Sequence, residues 1–397
     1  MNIPKINRYL NQSTSALALL ALGFVSLGLS VWGGLVRIGW WDYSSTLPGL
    51  PGIHGPLVVC GFLGTFFTLE RALSLKYWWG YLIPFLIVVG ALSLLIDPLW
   101  KGSRIIITMG SFGFLALCLV SLQKQINFFN SMITLGSVFW ISGMIIWWVD
   151  WPVFNIYLWW MGFVLFTMVG QRLELAHRAH VIPKFFVLFG MALSFVLLGQ
   201  LLMAVGHQSA SEAVATVDFD AIHDPRLILG MRLAGVGMLG TALWLLRYDA
   251  AWSLIRNGGM AGYIAVCLLS SYIWLCVSGL LSILYAGFVS GPKYDALIHS
   301  FFVGFVLFAI FGHTPSMLLS SLGIRFTRIN SFFLHVLLLH IALVVRIWAD
   351  VFPHRALQKW GGMLNAVAIV LFLAGTAYWV LVEYSKEIRN AEKNSSC

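Results

Sequence analysis

The sequence is short of charge. Of its 397 residues only 10% are Asp, Glu, Lys or Arg, against 60% hydrophobic. An ordinary soluble domain carries about a quarter charged residues, so that class is excluded. Cysteine is scarce too, with five residues and no Cys-X-X-Cys pair. That excludes a disulfide framework and a cysteine-built metal centre. Cys60, Cys118, Cys267 and Cys276 fall inside apolar runs, and Cys397 stands last. Long polar segments are missing as well. The longest connection, 207–224, reads "HQSASEAVATVDFDAIHD", which leaves no room for a soluble domain. No internal repeat is visible. The net charge of +9 does not point to nucleic acid, because the Lys and Arg residues sit at the ends of apolar runs rather than in a patch.

What fills the sequence is hydrocarbon. About 20 apolar residues cross a bilayer as a helix. Twelve such runs occur, roughly 14–39, 51–75, 77–96, 104–125, 127–151, 153–175, 182–206, 225–249, 261–287, 293–322, 329–352 and 361–385. The expectation is all-α: a polytopic membrane helix bundle of about 12 transmembrane helices, forming one membrane domain over 1–397. The run after Lys5 and Arg8 is too long for a signal h-region and reads as a retained helix. Lys and Arg favour the side of Lys5 and Arg8, so both termini are expected in the cytoplasm. Trp and Tyr crowd the run ends ("GWWDY", "KYWWGY", "MIIWWVDW") as an interfacial belt does. The 207–224 connection separates seven runs from five.

Against this background the histidines stand out, since an imidazole in hydrocarbon is costly and rarely idle. His299 and His313 lie fourteen residues apart in "IHSFFVGFVLFAIFGHTP". In an α-helix that is close to a whole number of turns and about 21 Å of rise, one face and two depths. Such a ruler suits two haems stacked across a membrane. His54 opens the second run and is expected at the depth of His299, so the two could share one iron. His335 and His340 lie on the eleventh run, and either could sit level with His313. Five residues put them about 140° apart on a helical wheel, so one is expected to face the tenth run and the other elsewhere, free for copper or a proton relay. The alternative is plain interhelical hydrogen bonding. Pro56 and Pro315 follow two of these histidines as His-X-Pro. Pro56 lies near a helix start, and Pro315 is expected to kink its helix beside His313.

Arg37, Arg232 and Arg346 are candidates to pair with haem propionates, with snorkelling to the interface as the alternative for Arg37 and Arg346. Asp295, one turn before His299, could accept its second ring N–H or serve as a helix N-terminal acid. Glu70, Arg71, Arg172 and Glu174 are expected to pair and lock the bundle rather than line a proton path. His177, His180 and His354 read as interfacial. His207, Asp218, Asp220, His223 and Asp224 could chelate a metal but match no specific spacing.

"GIHGPLVVCGFLGT", "YDALIHSFFVGFVLFAIFGHTP" and "HVLLLHIALVVR" resemble motifs of the NnrS-like membrane proteins, and more distantly subunit I of the haem–copper oxidases and nitric oxide reductases. The resemblance implies b-type haem, one or two per chain, with copper as a further option, and chemistry related to nitric oxide or electron transfer. It implies His54 as a low-spin haem ligand. It also implies a bacterial inner membrane, a quinol or cytochrome donor and partner subunits of a respiratory complex. No adjacent His-His pair and no His-X-His occurs, so the usual oxygen-reducing binuclear centre is not expected. A cofactor-free transporter or proton channel, or a helical scaffold subunit, is the competing expectation.

Overall fold

Each of the twelve apolar runs overlaps a helix, and no strand occurs among the described residues. The computed structural model describes residues 3–41, 47, 49–98, 100–151, 153–178, 183–213, 224–314 and 333–395. In chain order the helices are α1 (Ile3–Arg37), α2 (Leu50–Leu75), α3 (Trp78–Ser93), α4 (Lys101–Lys124), α5 (Phe128–Trp148) and α6 (Val153–Arg178), then α7 (Pro183–Ala213), α8 (Pro225–Tyr248), the short α9 (Ala251–Arg256), α10 (Gly259–Leu284), α11 (Gly291–Thr314), α12 (Phe333–Val351) and α13 (Arg355–Ser395). Among the described residues nine helical stretches are long and apolar enough to cross a membrane, and Trp78–Ser93 and Phe189–Val205 are shorter apolar helices.

Packing divides the chain into two compact units, Met1–His180 and Val181–Cys397. The division falls one helix earlier than the longest connection, because α7 and α8 on either side of that connection pack intimately. Their glycines leave no space between backbones. A Cβ on Gly199 would lie 2.5 Å from the Gly230 carbonyl, and one on Gly237 would lie 2.5 Å from the Ala192 carbonyl. α8 meets α10 in the same way through Gly235 and Gly279. Small residues allow such approach where hydrocarbon gives no other drive for helices to associate.

In the first unit α2 runs against α1. A Cβ on Gly33 would lie 2.8 Å from the Leu50 carbonyl and 3.2 Å from His54 Cβ. An aromatic core binds α2, α4, α5 and α6 together. Phe163 stacks on Trp140 at 4.5 Å and takes Phe67 and Phe114 edge-on at 5.7 and 6.0 Å. Buried Arg104, at the start of α4, donates to Asp150 (2.7 Å) and to the Trp147 carbonyl (3.0 Å), clamping α4 to the end of α5. Lys101 adds a second cation to Asp150 at 2.5 Å.

In the second unit α11 packs against α10 and α12, and α12 against α13. α12 is inside out by the standards of a soluble helix. Leu334, Leu337, Ile341, Val344 and Trp348 are exposed at helical spacing, while His335, Arg346 and Asp350 are buried. Apolar residues outward and ionisable residues inward is the arrangement hydrocarbon solvent selects.

Candidate functional site

His54 and His299 are built alike. His54 is half-buried on α2, with Nδ1 2.8 Å from the Pro51 carbonyl oxygen. His299 is half-buried on α11, with Nδ1 2.7 Å from the Asp295 carbonyl oxygen. A carbonyl only accepts, so in each neutral ring Nδ1 carries the hydrogen and the lone pair lies on Nε2. Metal-ligating histidines are commonly fixed in this way, donating their other ring N–H to a backbone carbonyl. Gly33 and Gly34 of α1 bring that helix against His54, and Ser30 Oγ donates to the His54 carbonyl at 2.7 Å.

The helix changes pitch beside both. In α2 a π-helical stretch, Leu57–Gly64, opens three residues after His54; in α11 another, Ser300–Leu307, opens directly after His299. Single π turns are frequent at functional sites. They correct two expectations. Pro56 lies inside α2 and not near its start, and the π turn opens immediately after it. The His299–His313 ruler assumed unbroken α geometry. With i→i+5 turns between them, a turn takes more residues, so His313 is rotated out of phase with His299 and the same-face argument falls. Pro315 lies outside the described residues.

His335 and His340 also depart from expectation. Rather than one facing the tenth run, now α11, and the other elsewhere, both lie against α11 through Phe311 and Phe308, and both bond to α10. His335, 3% exposed, places Nε2 2.9 Å from Tyr263 Oη, with its ring against Phe311 and Phe372. His340 accepts at Nδ1 from the Trp274 indole N–H (3.2 Å), so its hydrogen is on Nε2, which donates to Ser270 Oγ (2.9 Å). Its ring lies 4.4 Å from Phe308 of α11. Five residues of rise let the two imidazoles reach one straight helix at two levels despite their different wheel angles. Both ring nitrogens of His340 are thus taken by protein, and His340 does not fit as an iron or copper ligand. His335 lies level with Phe311, two residues from half-buried His313.

The arginines separate. Arg37 is exposed at the end of α1, as snorkelling requires, and Arg232 is exposed on α8 despite its depth in the helix. Arg346 neither snorkels nor waits for a propionate. It is 2% exposed and donates to Asp350 Oδ2 (3.0 Å), Asp295 Oδ2 (3.2 Å) and the Gln358 carbonyl (3.3 Å), while Gln358 Nε2 donates to Asp350 Oδ1 (2.8 Å). Asp295 therefore serves His299 with its backbone carbonyl and Arg346 with its carboxylate. Two carboxylates already balance this guanidinium, so it does not fit a haem propionate.

Other candidates find structural partners. Gln171 Nε2 donates to Glu70 at 2.7 Å, and Arg71 reaches Ser121 at 3.5 Å. Arg172 is buried, and the Glu174 side chain lies outside the described residues. His354 accepts from Leu357 N–H (3.3 Å) at the start of α13. The loop chelate falls largely outside the described residues, as do His180 and the side chains of His177 and His207. Its one described side chain, Asp224, caps α8 by accepting from Arg226 N–H at 2.7 Å. Among the described residues no group of three or more His, Cys, Asp or Glu is placed to hold a metal ion. The sequence reading passed over Tyr263, Ser270, Trp274 and Asp350. Only Asp350, four residues after Arg346 on one helix face, left a spacing signal.

The fold and these buried polar groups define a class: an all-helical membrane protein with histidines fixed inside its bundle. A family model described as "Domain of unknown function (DUF8744)" matches residues 16–381, and the chain belongs to that family. Comparison with curated proteins gave no match.

Proposed function

We propose that the chain is a haem-binding redox protein of the membrane, in which His54 and His299 each offer Nε2 to haem iron. One observation supports this most: both histidines hold Nδ1–H on a backbone carbonyl and stand beside a π turn. The motif resemblance to NnrS-like proteins points the same way. Haem supplies a one-electron couple and, where an axial position is open, a place for nitric oxide. The chain's own part is orientation. Pro51 and Asp295 carbonyls set the tautomer. His313 is the further candidate ligand, and copper is retained only for His313 or His335. The reading includes twelve spans, both termini in the cytoplasm, a bacterial inner membrane and a quinol or cytochrome donor. His299→Ala is expected to remove or shift the reduced haem band of purified protein; an unchanged spectrum contradicts the assignment.

A second reading, a cofactor-free proton relay, draws on the His335–Tyr263 hydrogen bond, which joins two proton-bearing groups in hydrocarbon. In sealed vesicles it requires potential-driven proton uptake that Tyr263→Phe abolishes; uptake equal to that of protein-free vesicles removes it.

A further inference from the structure

The cluster that joins α11, α12 and α13 holds more negative than positive charge. Asp295 and Asp350 share the single guanidinium of Arg346. With both carboxylates ionised, the formal balance of the three groups is one negative charge. Asp350 is fully buried and Arg346 nearly so, where charge is screened far less than at a wet surface. Asp295 belongs to the turn that carries His299, and its carbonyl accepts the His299 ring N–H. Arg346 of α12 bonds both carboxylates, Gln358 of α13 bonds Asp350 as well, and Gly361 lets α13 approach: a Cβ there would lie 2.8 Å from Arg346 Cα.

We infer that Asp295, Arg346 and Asp350 form an electrostatic clamp that sets the reduction potential of iron bound at His299, holding it low by favouring the more positive ferric state. The inference rests on the haem reading of His299 and extends it to three groups that touch no cofactor themselves. A ring N–H held on a carbonyl is available at this helix position whatever residue stands at 295; the carboxylate is not. Its charge, tied to a second buried carboxylate, is what the cluster adds.

The experiment is a redox titration, followed by visible absorbance at pH 8, of the full-length protein purified in detergent. Asp295→Asn and Asp350→Asn are each expected to raise the midpoint potential, Arg346→Gln to lower it, and Asp295→Glu to leave it near wild type. Opposite shifts from opposite charges, with the Soret position unchanged, are what a merely structural role does not give. Arg346→Gln is the variant at risk in folding, and the two Asn variants decide the matter without it. A coloured wild type whose potential is unmoved in both Asn variants overturns the clamp alone. A colourless wild type overturns the haem reading and the clamp with it.

Discussion

His54 and His299 share a local chemistry that neither composition nor wheel angle contains: a carbonyl three or four residues back that takes the Nδ1 hydrogen. The sequence marked both positions because histidine is expensive in hydrocarbon. It did not distinguish them from His340, whose ring nitrogens go to Trp274 and Ser270, because tautomers depend on partners far away along the chain. Arg346 was visible as a cation in an apolar run, a candidate for a propionate or for snorkelling, but its second carboxylate comes from fifty-odd residues earlier. Removing that cation leaves two carboxylates without it. Arg346→Met is expected to cost about 3–5 kcal/mol, read as a lowered midpoint in thermal unfolding in detergent; an unchanged midpoint contradicts the cluster. Tyr263→Phe takes the hydroxyl from buried His335 and is expected to cost about 1–3 kcal/mol by the same measurement. Past the end of α5, the Lys101 ammonium that donates to Asp150, with Arg104 behind it, holds this carboxyl below the usual carboxylate range. A depressed folded value means that the contribution of these Asp150 ion pairs is complete above the ordinary carboxylate pKa. It fades as pH falls through the lower, folded one. Asp150→Asn is therefore expected to flatten the acid limb of stability below about pH 4.

At the level of helices, hydrophobic runs located each long helix but not the short α9, since about 20 apolar residues are what a membrane-crossing helix needs. Pitch was not legible. The π turn of α2 opens directly after Pro56, which withdraws a donor, and that of α11 spans Gly304, whose Cβ would lie 2.6 Å from Trp274 Cβ and 3.1 Å from Leu343. Those are neighbour effects, and they defeated an argument from 100° per residue. The division between units was likewise set by contact and not by connection length. Gly237 carries that contact. Gly237→Val is expected to lower the unfolding midpoint by an amount worth about 1–3 kcal/mol, whereas Gly190→Ala, with nothing within 4 Å of the added methyl, leaves it in place. Equal behaviour of the two variants contradicts the packing described for α7 and α8.

For the whole molecule the first consequence is the solvent. The exposed stripe Leu337, Ile341 and Val344 on α12 faces outward while Arg346 and Asp350 face in. On a soluble protein Leu337→Lys is nearly neutral. In a bilayer a lysine at mid-helix is disfavoured by about 2.5–3.5 kcal/mol, and the variant is expected to insert poorly when membrane fractions are compared with wild type. The second consequence is the cargo. Purified full-length protein in detergent, oxidised and then reduced with dithionite, is the direct measurement of the central claim. The account predicts a haem spectrum with a reduced α-band that His54→Ala and His299→Ala each diminish or shift. A colourless wild-type protein, expressed with haem in supply, contradicts it.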